Sequence, residues 1–192
     1  ELVSINYDME LYLYGGDLID IYNNSWGPSD KTGIIDSQDW WSWQLTEIEL
    51  ATLQDDAIVL FANGNGGGIG ESSTFDPLAN SIYSIAVQAI GQNNQETGYG
   101  EIGSNIVFSA YSDTSNYGRG ITSTAPDDSY KFDFGGTSSA TPLAAGLLAL
   151  ILEEANDSGR DLNWRDIISL AAHYSLATDL FDDSWQTKQA GV

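Results

Sequence analysis

The sequence predicts one domain with an α/β fold and a mainly parallel sheet. Its 192 residues are enough to bury a sizeable core. Short apolar runs alternate along the chain with longer segments in which apolar residues recur at helical spacing. This alternation is typical of parallel strands joined by crossover helices. The run at 57–61 is apolar throughout, as expected for a strand that is covered on both faces.

The individual elements follow from local patterns. The segment at 40–55 carries Trp41, Leu45 and Ile48 on one helical face, which predicts an amphipathic helix. Glycine and asparagine follow the strand at 57–61, and functional residues of parallel sheets lie on such loops. Helices are predicted at 1–13, 40–55, 138–155 and 163–174, and strands at 18–22, 57–61, 82–90, 106–110 and 121–124.

The chain is strongly acidic, with 28 acidic and 6 basic residues and a formal net charge of −22. This balance excludes a nucleic-acid-binding surface and disfavours anionic membranes, because both need lysine and arginine. The longest apolar run, 143–152, is too short to span a bilayer, so no membrane insertion is expected. Most carboxylates are expected to be solvated, which leaves a few for calcium or a basic substrate. There is no cysteine, which rules out disulfides and thiolate metal sites.

The segment Gly-Gly-Thr-Ser-Ser-Ala-Thr-Pro at 135–142 leads directly into that apolar run. It predicts a loop that delivers Ser138 to the first turn of a buried helix. The free N–H groups of that turn and the helix dipole favour a negative charge developing beside the hydroxyl. Serine before an apolar run is also common in ordinary helix caps. A nucleophilic serine and a structural cap are therefore both open interpretations.

The loop Ala-Asn-Gly-Asn-Gly-Gly at 62–67 follows the clearest strand. Its Asn65 could donate a side-chain N–H to an oxyanion, and Gly64 beside it would let a substrate backbone approach closely. A phosphate-binding loop is excluded, because Ile69 stands where the glycine pattern requires glycine and no Gly-Lys-Ser/Thr follows. A plain flexible turn remains the alternative.

Four motifs resemble those of subtilisin-like serine proteases of the kexin/furin, or proprotein convertase-like, branch, in the same order. They are Ser-Trp-Gly-Pro at 25–28, Asn-Gly-Asn-Gly-Gly at 63–67, Gly-Thr-Ser-x-Ala-x-Pro with Ala-Ala-Gly at 136–146, and Leu-Asn-Trp-Arg-Asp at 162–166. The resemblance implies a three-layer subtilisin-like fold that is incomplete in this chain. Residues 1–192 would be the C-terminal part of a kexin-type catalytic domain.

The resemblance also implies roles for particular residues. Ser138 would be the nucleophile and Asn65 the oxyanion donor. The substrate would lie as an added strand along Gly64 and the motif formed by Ser25, Trp26, Gly27 and Pro28. Asp30 and Asp76 would line the pocket for an arginine or lysine side chain, since carboxylates bind a guanidinium by charge-assisted hydrogen bonds. Asp76 begins Asp-Pro-Leu-Ala-Asn-Ser-Ile-Tyr, which is similar to the Asp-Gly-Tyr-x-Asn-Ser-Ile-Tyr of the family.

A calcium ion belongs to this family's pocket, and the resemblance implies its ligands here. They would be Asp30, Glu71 and Glu101, carboxylates from three loops that suit a hard cation. Gly100 stands before Glu101 where the family usually has serine. Asp36 is a further candidate, for a second acidic pocket along the substrate.

A serine nucleophile needs a base, and the sequence offers no clear one. Its single histidine, His173, is expected to be structural. Lys131 is expected in a polar turn with Asp127, Asp128 and Asp133, which makes a Ser-Lys pair unfavourable. The catalytic histidine and aspartate would then come from the rest of the same catalytic domain, as a covalent or nicked partner, or from a second chain.

Two hypotheses follow. The first is a secreted, calcium-stabilised serine endopeptidase that cleaves peptides after basic residues, from a bacterium of saline water. The second is a non-catalytic or degenerate protease-derived module that keeps the acidic cleft for binding. The presence of both Ser138 and Asn65 favours the first hypothesis.

Overall fold

The computed structural model describes Tyr12 and residues 18–29, 38–113 and 120–178, with backbone alone at 38–40. Two 3-10 turns, Gly67–Ile69 and Ser73–Phe75, lie between β2 and β3. The strands and helices are β1 (Ile21–Asn24), α1 (Gln38–Gln54), β2 (Ile58–Ala62), β3 (Ile85–Ile90), β4 (Ile106–Tyr111), β5 (Ile121–Ala125), β6 (Ser129–Phe134), α2 (Thr137–Asp157) and α3 (Trp164–Tyr174).

Strands β1 to β4 form a parallel sheet in the order β1-β2-β3-β4. Ile21 of β1 pairs with Ile58 of β2, and Leu60 of β2 pairs with Ile85 of β3. All five residues of β2 are buried, because this strand is central in the sheet and covered on both faces. Since the four strands run the same way, the loops after them leave from one end of the sheet.

Helices cover both faces of this sheet. On one face, Leu60 and Val87 pack against α2 and α3, with Leu148 and Ile167 in the same buried cluster. On the other face, Val59, Phe61 and Ala86 belong to a second cluster that includes Ile48 and Ala51 of α1. The alternation of side chains along β2 thus divides the core into two layers. The predicted α/β fold with three layers and a mainly parallel sheet is confirmed.

Most of the predicted elements are present, with shifted bounds. The helices predicted at 40–55, 138–155 and 163–174 are α1, α2 and α3. The strand predicted at 82–90 begins only at Ile85, because Ser81 and Ser84 form a turn in which the Ser84 N–H donates to the Ser81 carbonyl. The helix predicted at 1–13 lies outside the described residues except for Tyr12.

The antiparallel pair β5-β6 corrects one expectation. Lys131 was expected in a polar turn, and it lies on β6 instead, paired with Ser123 of β5. Asp127 and Asp128, both with positive φ, form the tight turn between the two strands. The sequence marks this strand with no apolar run, because the exposed Tyr130 and Phe132 alternate with polar residues.

Within the described ranges, no helix is both long and apolar enough to cross a membrane.

Candidate active site

Ser138 lies in the first turn of α2 and is half-buried, between the fully buried Thr137 and Ser139. The helix is preceded by Gly136, with φ of 75° and ψ of 176°. Only glycine adopts this region without strain. The turn at Gly136 therefore fixes the direction in which the chain enters the helix and the position of Ser138.

Pro142 removes one helical hydrogen bond beside Ser138. Proline has no N–H, so the Ser138 carbonyl, four residues earlier, has no donor at position 142. The Ser25 hydroxyl donates to this carbonyl at 2.9 Å, and Ser138 Oγ donates to the Ser25 carbonyl at 3.3 Å. This reciprocal pair joins the loop after β1 to the first turn of α2.

Asn65, on the exposed loop after β2, contacts the same turn. Its Oδ1 accepts hydrogen bonds from the Thr137 N–H at 2.9 Å and from the Thr137 hydroxyl at 3.2 Å. Because the oxygen is engaged in this way, Nδ2 is the end of the amide that can donate to a ligand. A Cβ at Gly136 would lie 3.1 Å from Asn65 Oδ1, so the close approach of the two loops also depends on that glycine.

Three further side chains contact this loop, and the sequence analysis did not single them out: Tyr99, Ser112 and Asp113. Asp113 Oδ1 accepts hydrogen bonds from the Gly136 N–H and the Tyr99 hydroxyl, each at 2.8 Å. Burial alone would raise the pKa of Asp113, but these hydrogen bonds more than offset burial, so the pKa lies below its ordinary value. Burial raises the pKa of the Tyr99 hydroxyl to about 12, so this group keeps its proton as a donor. The only sequence signal was position: Ser112 and Asp113 directly follow β4, and Tyr99 lies two residues before Glu101.

Asp76 lies against the Ser25–Pro28 segment. Its Oδ1 accepts from the backbone N–H groups of Leu78 at 2.8 Å and Ala79 at 3.2 Å. Its Oδ2 faces Gly27, since a Cβ at Gly27 would lie 3.3 Å from that oxygen. Burial raises the pKa of Asp76 above its ordinary value, although the two backbone hydrogen bonds lower it. One carboxylate oxygen is thus anchored and the other is directed toward the segment predicted to hold the substrate.

Glu71 and Glu101 border the Gly64–Gly66 loop. A Cβ at Gly64 would lie 2.2 Å from Glu101 Oε1, and one at Gly66 would lie 1.8 Å from Glu71 Oε2. The Gly66 N–H donates to Glu101 Oε1 at 3.2 Å, and Gln88 Nε2 donates to the Glu101 carbonyl at 2.8 Å. Two carboxylates therefore share the space that side chains at these glycines would fill. Among the described residues no group of three such ligands forms a metal cluster.

The remaining predicted residues are distributed as follows. Trp26 packs its ring edge-on against Phe61, with ring centroids 5.6 Å apart. His173 is exposed near the end of α3 and contacts the Tyr174 ring. Asp30 and Asp36 lie outside the described residues.

Comparison with known proteins identifies the family. A family model described as the subtilase family matches residues 4–190. The chain belongs to the subtilase family. Among curated relatives, this subtilase is 36% identical to Protease KEX1 of Kluyveromyces lactis and 35% identical to Kexin of Candida albicans. The alignments cover 93% and 96% of the chain, but only 23% and 19% of those relatives.

Solved structures agree on the fold. The crystal structure of the serine protease of Aeromonas sobria matches this subtilase with a TM-score of 0.68 and 26% identity. The match covers 83% of this chain and 34% of that one. The predicted subtilisin-like fold is confirmed by this likeness.

Replacing Gly136 with alanine tests whether the turn before Ser138 requires glycine. We expect Gly136→Ala to lower the free energy of unfolding by about 1–3 kcal/mol, because alanine is strained at this φ and ψ. Gly146→Ala on the same helix is the matched control. A Cβ there meets nothing within 4 Å, and alanine raises helix propensity by up to about 1 kcal/mol. Urea denaturation measures both, and equal effects of the two substitutions would contradict the interpretation.

Proposed function

We propose that this subtilase is a serine endopeptidase that cleaves peptides after basic residues, and that the chain is the C-terminal part of its catalytic domain. The observation that carries the proposal is the meeting of Ser25, Asn65 and Ser138 at the N-terminus of α2. The names of the relatives, Protease KEX1 and Kexin, support a proteolytic function.

The chemistry proposed for Ser138 is acyl transfer. Ser138 Oγ attacks the carbonyl carbon of the scissile bond while a base takes the hydroxyl proton, and that proton then passes to the leaving amine as the C–N bond breaks. Water hydrolyses the acyl-enzyme and regenerates the hydroxyl. Asn65 Nδ2 and the backbone N–H of Ser138 stabilise the oxyanion, because both are fixed before the reaction begins.

The base is assigned to another part of the catalytic domain. The single histidine of the sequence, His173, lies on α3 and is exposed, with its ring against Tyr174. The hydrogen bonds described for Ser138 Oγ and for Asn65 Oδ1 go to Ser25 and Thr137 instead. A partner segment, covalent or nicked, would supply the histidine and its aspartate. The protein is further proposed to be secreted, since the kexin relatives are proteases of the secretory pathway.

Specificity for a basic side chain is assigned to Asp76, together with Asp30. The Oδ2 atom of Asp76 faces Gly27, next to the segment along which the substrate would lie. The two backbone N–H groups on Oδ1 hold the carboxylate in one orientation, so a guanidinium could bind without reordering it. An ionised carboxylate here would favour arginine or lysine over neutral side chains.

Calcium is proposed as the structural cofactor. Glu71 and Glu101 fit it as two carboxylate ligands from separate loops, and Asp30 is the third expected ligand. When bound, the ion would neutralise the mutual repulsion of these carboxylates. Glu101 Oε1 accepts from the Gly66 N–H, and the Glu71 N–H donates to the Gly66 carbonyl, so both residues hold the loop that carries Asn65.

Removal of the Ser138 hydroxyl tests the proposed nucleophile. We expect Ser138→Ala to abolish labelling by a fluorophosphonate probe and cleavage of an arginine peptide in the full-length protein, because the proposed acyl-enzyme forms on this hydroxyl. Asn65→Ala should lower kcat by about 100- to 1,000-fold, a range that comes from the asparagine of subtilisin, a member of this family. Ser169→Ala, on the exposed face of α3, is the control. Unlabelled wild-type protein would favour a non-catalytic module instead.

Replacement of Asp76 tests the specificity pocket. We expect Asp76→Asn to lower kcat/KM for an arginine peptide by about 10- to 100-fold, the effect of losing one hydrogen bond to a charged group. A matched peptide with glutamine before the scissile bond should change far less. Equal losses on both peptides would refute the assignment.

The pH dependence of the same two peptides gives an independent measurement. Only the ionised Asp76 attracts a guanidinium. Burial raises its pKa above the ordinary value of an aspartate, so affinity for arginine should be lost as pH falls through this raised pKa. The arginine peptide should show this acid limb in kcat/KM. The glutamine peptide should lack it, and so should Asp76→Asn with either peptide.

Calcium titration tests the metal assignment. Calcium at about 100 times its Kd should raise the free energy of unfolding of the wild-type protein by about 2.7 kcal/mol. Glu71→Gln should remove most of this increase, whereas Glu153→Gln, on the exposed surface of α2, should keep it. An undiminished increase in Glu71→Gln would contradict the site.

A further inference from the structure

The turn at Gly136 is selected by its hydrogen-bond partners, because a glycine adopts many other backbone conformations about as readily as this one. Its φ of 75° and ψ of 176° place it outside the helix that begins at Thr137. The hydrogen bonds made by the Gly136 peptide groups therefore decide the path of the chain into Ser138.

Asp113 supplies the partner for the N–H of Gly136, at 2.8 Å. The carboxylate lies directly on this loop, since a Cβ at Gly135 would be 2.3 Å from Asp113 Oδ1. A hydrogen bond from an N–H to an ionised carboxylate is stronger than one between neutral groups. This contact makes Asp113 the charged anchor of the turn.

The anchor is itself held in place. The Tyr99 hydroxyl donates to Asp113 Oδ1 at 2.8 Å, from the segment that leads into Glu101. On the other side of the turn, the Ser112 hydroxyl donates to the Gly136 carbonyl at 2.7 Å. Both peptide groups of Gly136 are thus bound by neighbouring residues that follow β4. Asn65 binds the next N–H, that of Thr137.

We propose that Asp113 is a positioning residue for catalysis, which holds the Gly136 turn so that the Ser138 hydroxyl and the Ser138 N–H face the scissile carbonyl. The inference rests on the proposed function, because it assigns Asp113 to the same reaction. Asp113 acts through Gly136 and touches no substrate. Its loss should therefore lower kcat and leave KM nearly unchanged, since Asp76 and the Ser25–Pro28 segment have other anchors.

The test compares four variants of the full-length protein: Asp113→Ala, Asp113→Asn, Tyr99→Phe and Asp133→Ala. Steady-state cleavage of an arginine peptide gives kcat and KM, and hydrogen exchange gives the protection of the Gly136 amide. We expect Asp113→Ala to lower kcat by about 10- to 100-fold, the size of effect that a small misplacement of a catalytic group produces. The same variant should speed exchange of the Gly136 amide, with KM within about twofold of wild type.

The other variants separate positioning from folding and from charge. Asp113→Asn keeps an oxygen that can accept from Gly136, so it should recover most of kcat. Tyr99→Phe removes only one hydroxyl and should lower kcat less than Asp113→Ala does, which keeps the test open if the alanine variant does not fold. Asp133→Ala removes the same charge from the exposed strand β6 and should match wild type.

An Asp113→Ala variant with unchanged kcat, or with loss confined to KM, would overturn the proposal. So would unchanged exchange of the Gly136 amide, whatever the activity. A wild-type protein that a fluorophosphonate does not label would count against the proposed function alone, and amide exchange would still decide whether Asp113 holds the turn.

Discussion

The start of α2 leaves backbone groups without helical partners, and the loops at the end of the sheet satisfy them one by one. The Gly136 N–H binds Asp113 from the loop after β4, and the Thr137 N–H binds Asn65 from the loop after β2. Pro142 leaves the Ser138 carbonyl without a donor, and Ser25 from the loop after β1 provides one. Three strands that are distant in sequence thus converge on one helical turn. The hydrogen bonds that these backbone groups need are what bring the residues of the candidate site together.

The sequence predicted the parts of this arrangement that local motifs mark. Ser138 and Asn65 each lie in a short motif that can be identified without knowing the rest of the fold. Strand β2 is an unbroken apolar run. Asp113 was missed because it follows β4 with no motif around it, and its partner Gly136 is 23 positions away. Strand β6 was missed because Tyr130 and Phe132 are exposed, so the strand contains no run of buried apolar residues. Neither a hydrogen bond between distant residues nor an exposed strand produces a local sequence pattern, so neither could be predicted.

Two carboxylates of the site, Asp76 and Asp113, have opposite pKa shifts although both accept backbone N–H groups. For Asp76 burial dominates and raises the pKa, whereas for Asp113 the hydrogen bonds dominate and lower it. The Gly136 N–H, the Tyr99 hydroxyl and the Ser112 hydroxyl all donate to the same oxygen of Asp113, and these hydrogen bonds favour its ionised form. Asp76 keeps Oδ2 directed at Gly27, where a cation would relieve the cost of its burial. The first arrangement suits a structural anchor, and the second suits a site that awaits a charged ligand.

The contact of Ser138 Oγ explains how such a site can combine with a base from elsewhere. Its hydroxyl donates to the Ser25 carbonyl at 3.3 Å, longer than the usual O–H···O distance of about 2.7–2.8 Å. A peptide carbonyl accepts a hydrogen bond but does not remove a proton at neutral pH, so this contact orients Oγ without activating it. The bond is weak enough for an incoming imidazole to replace it, whereas the Ser25 hydroxyl would still bind the Ser138 carbonyl. The proposed nucleophile could therefore change partner while the backbone that carries it stays in place.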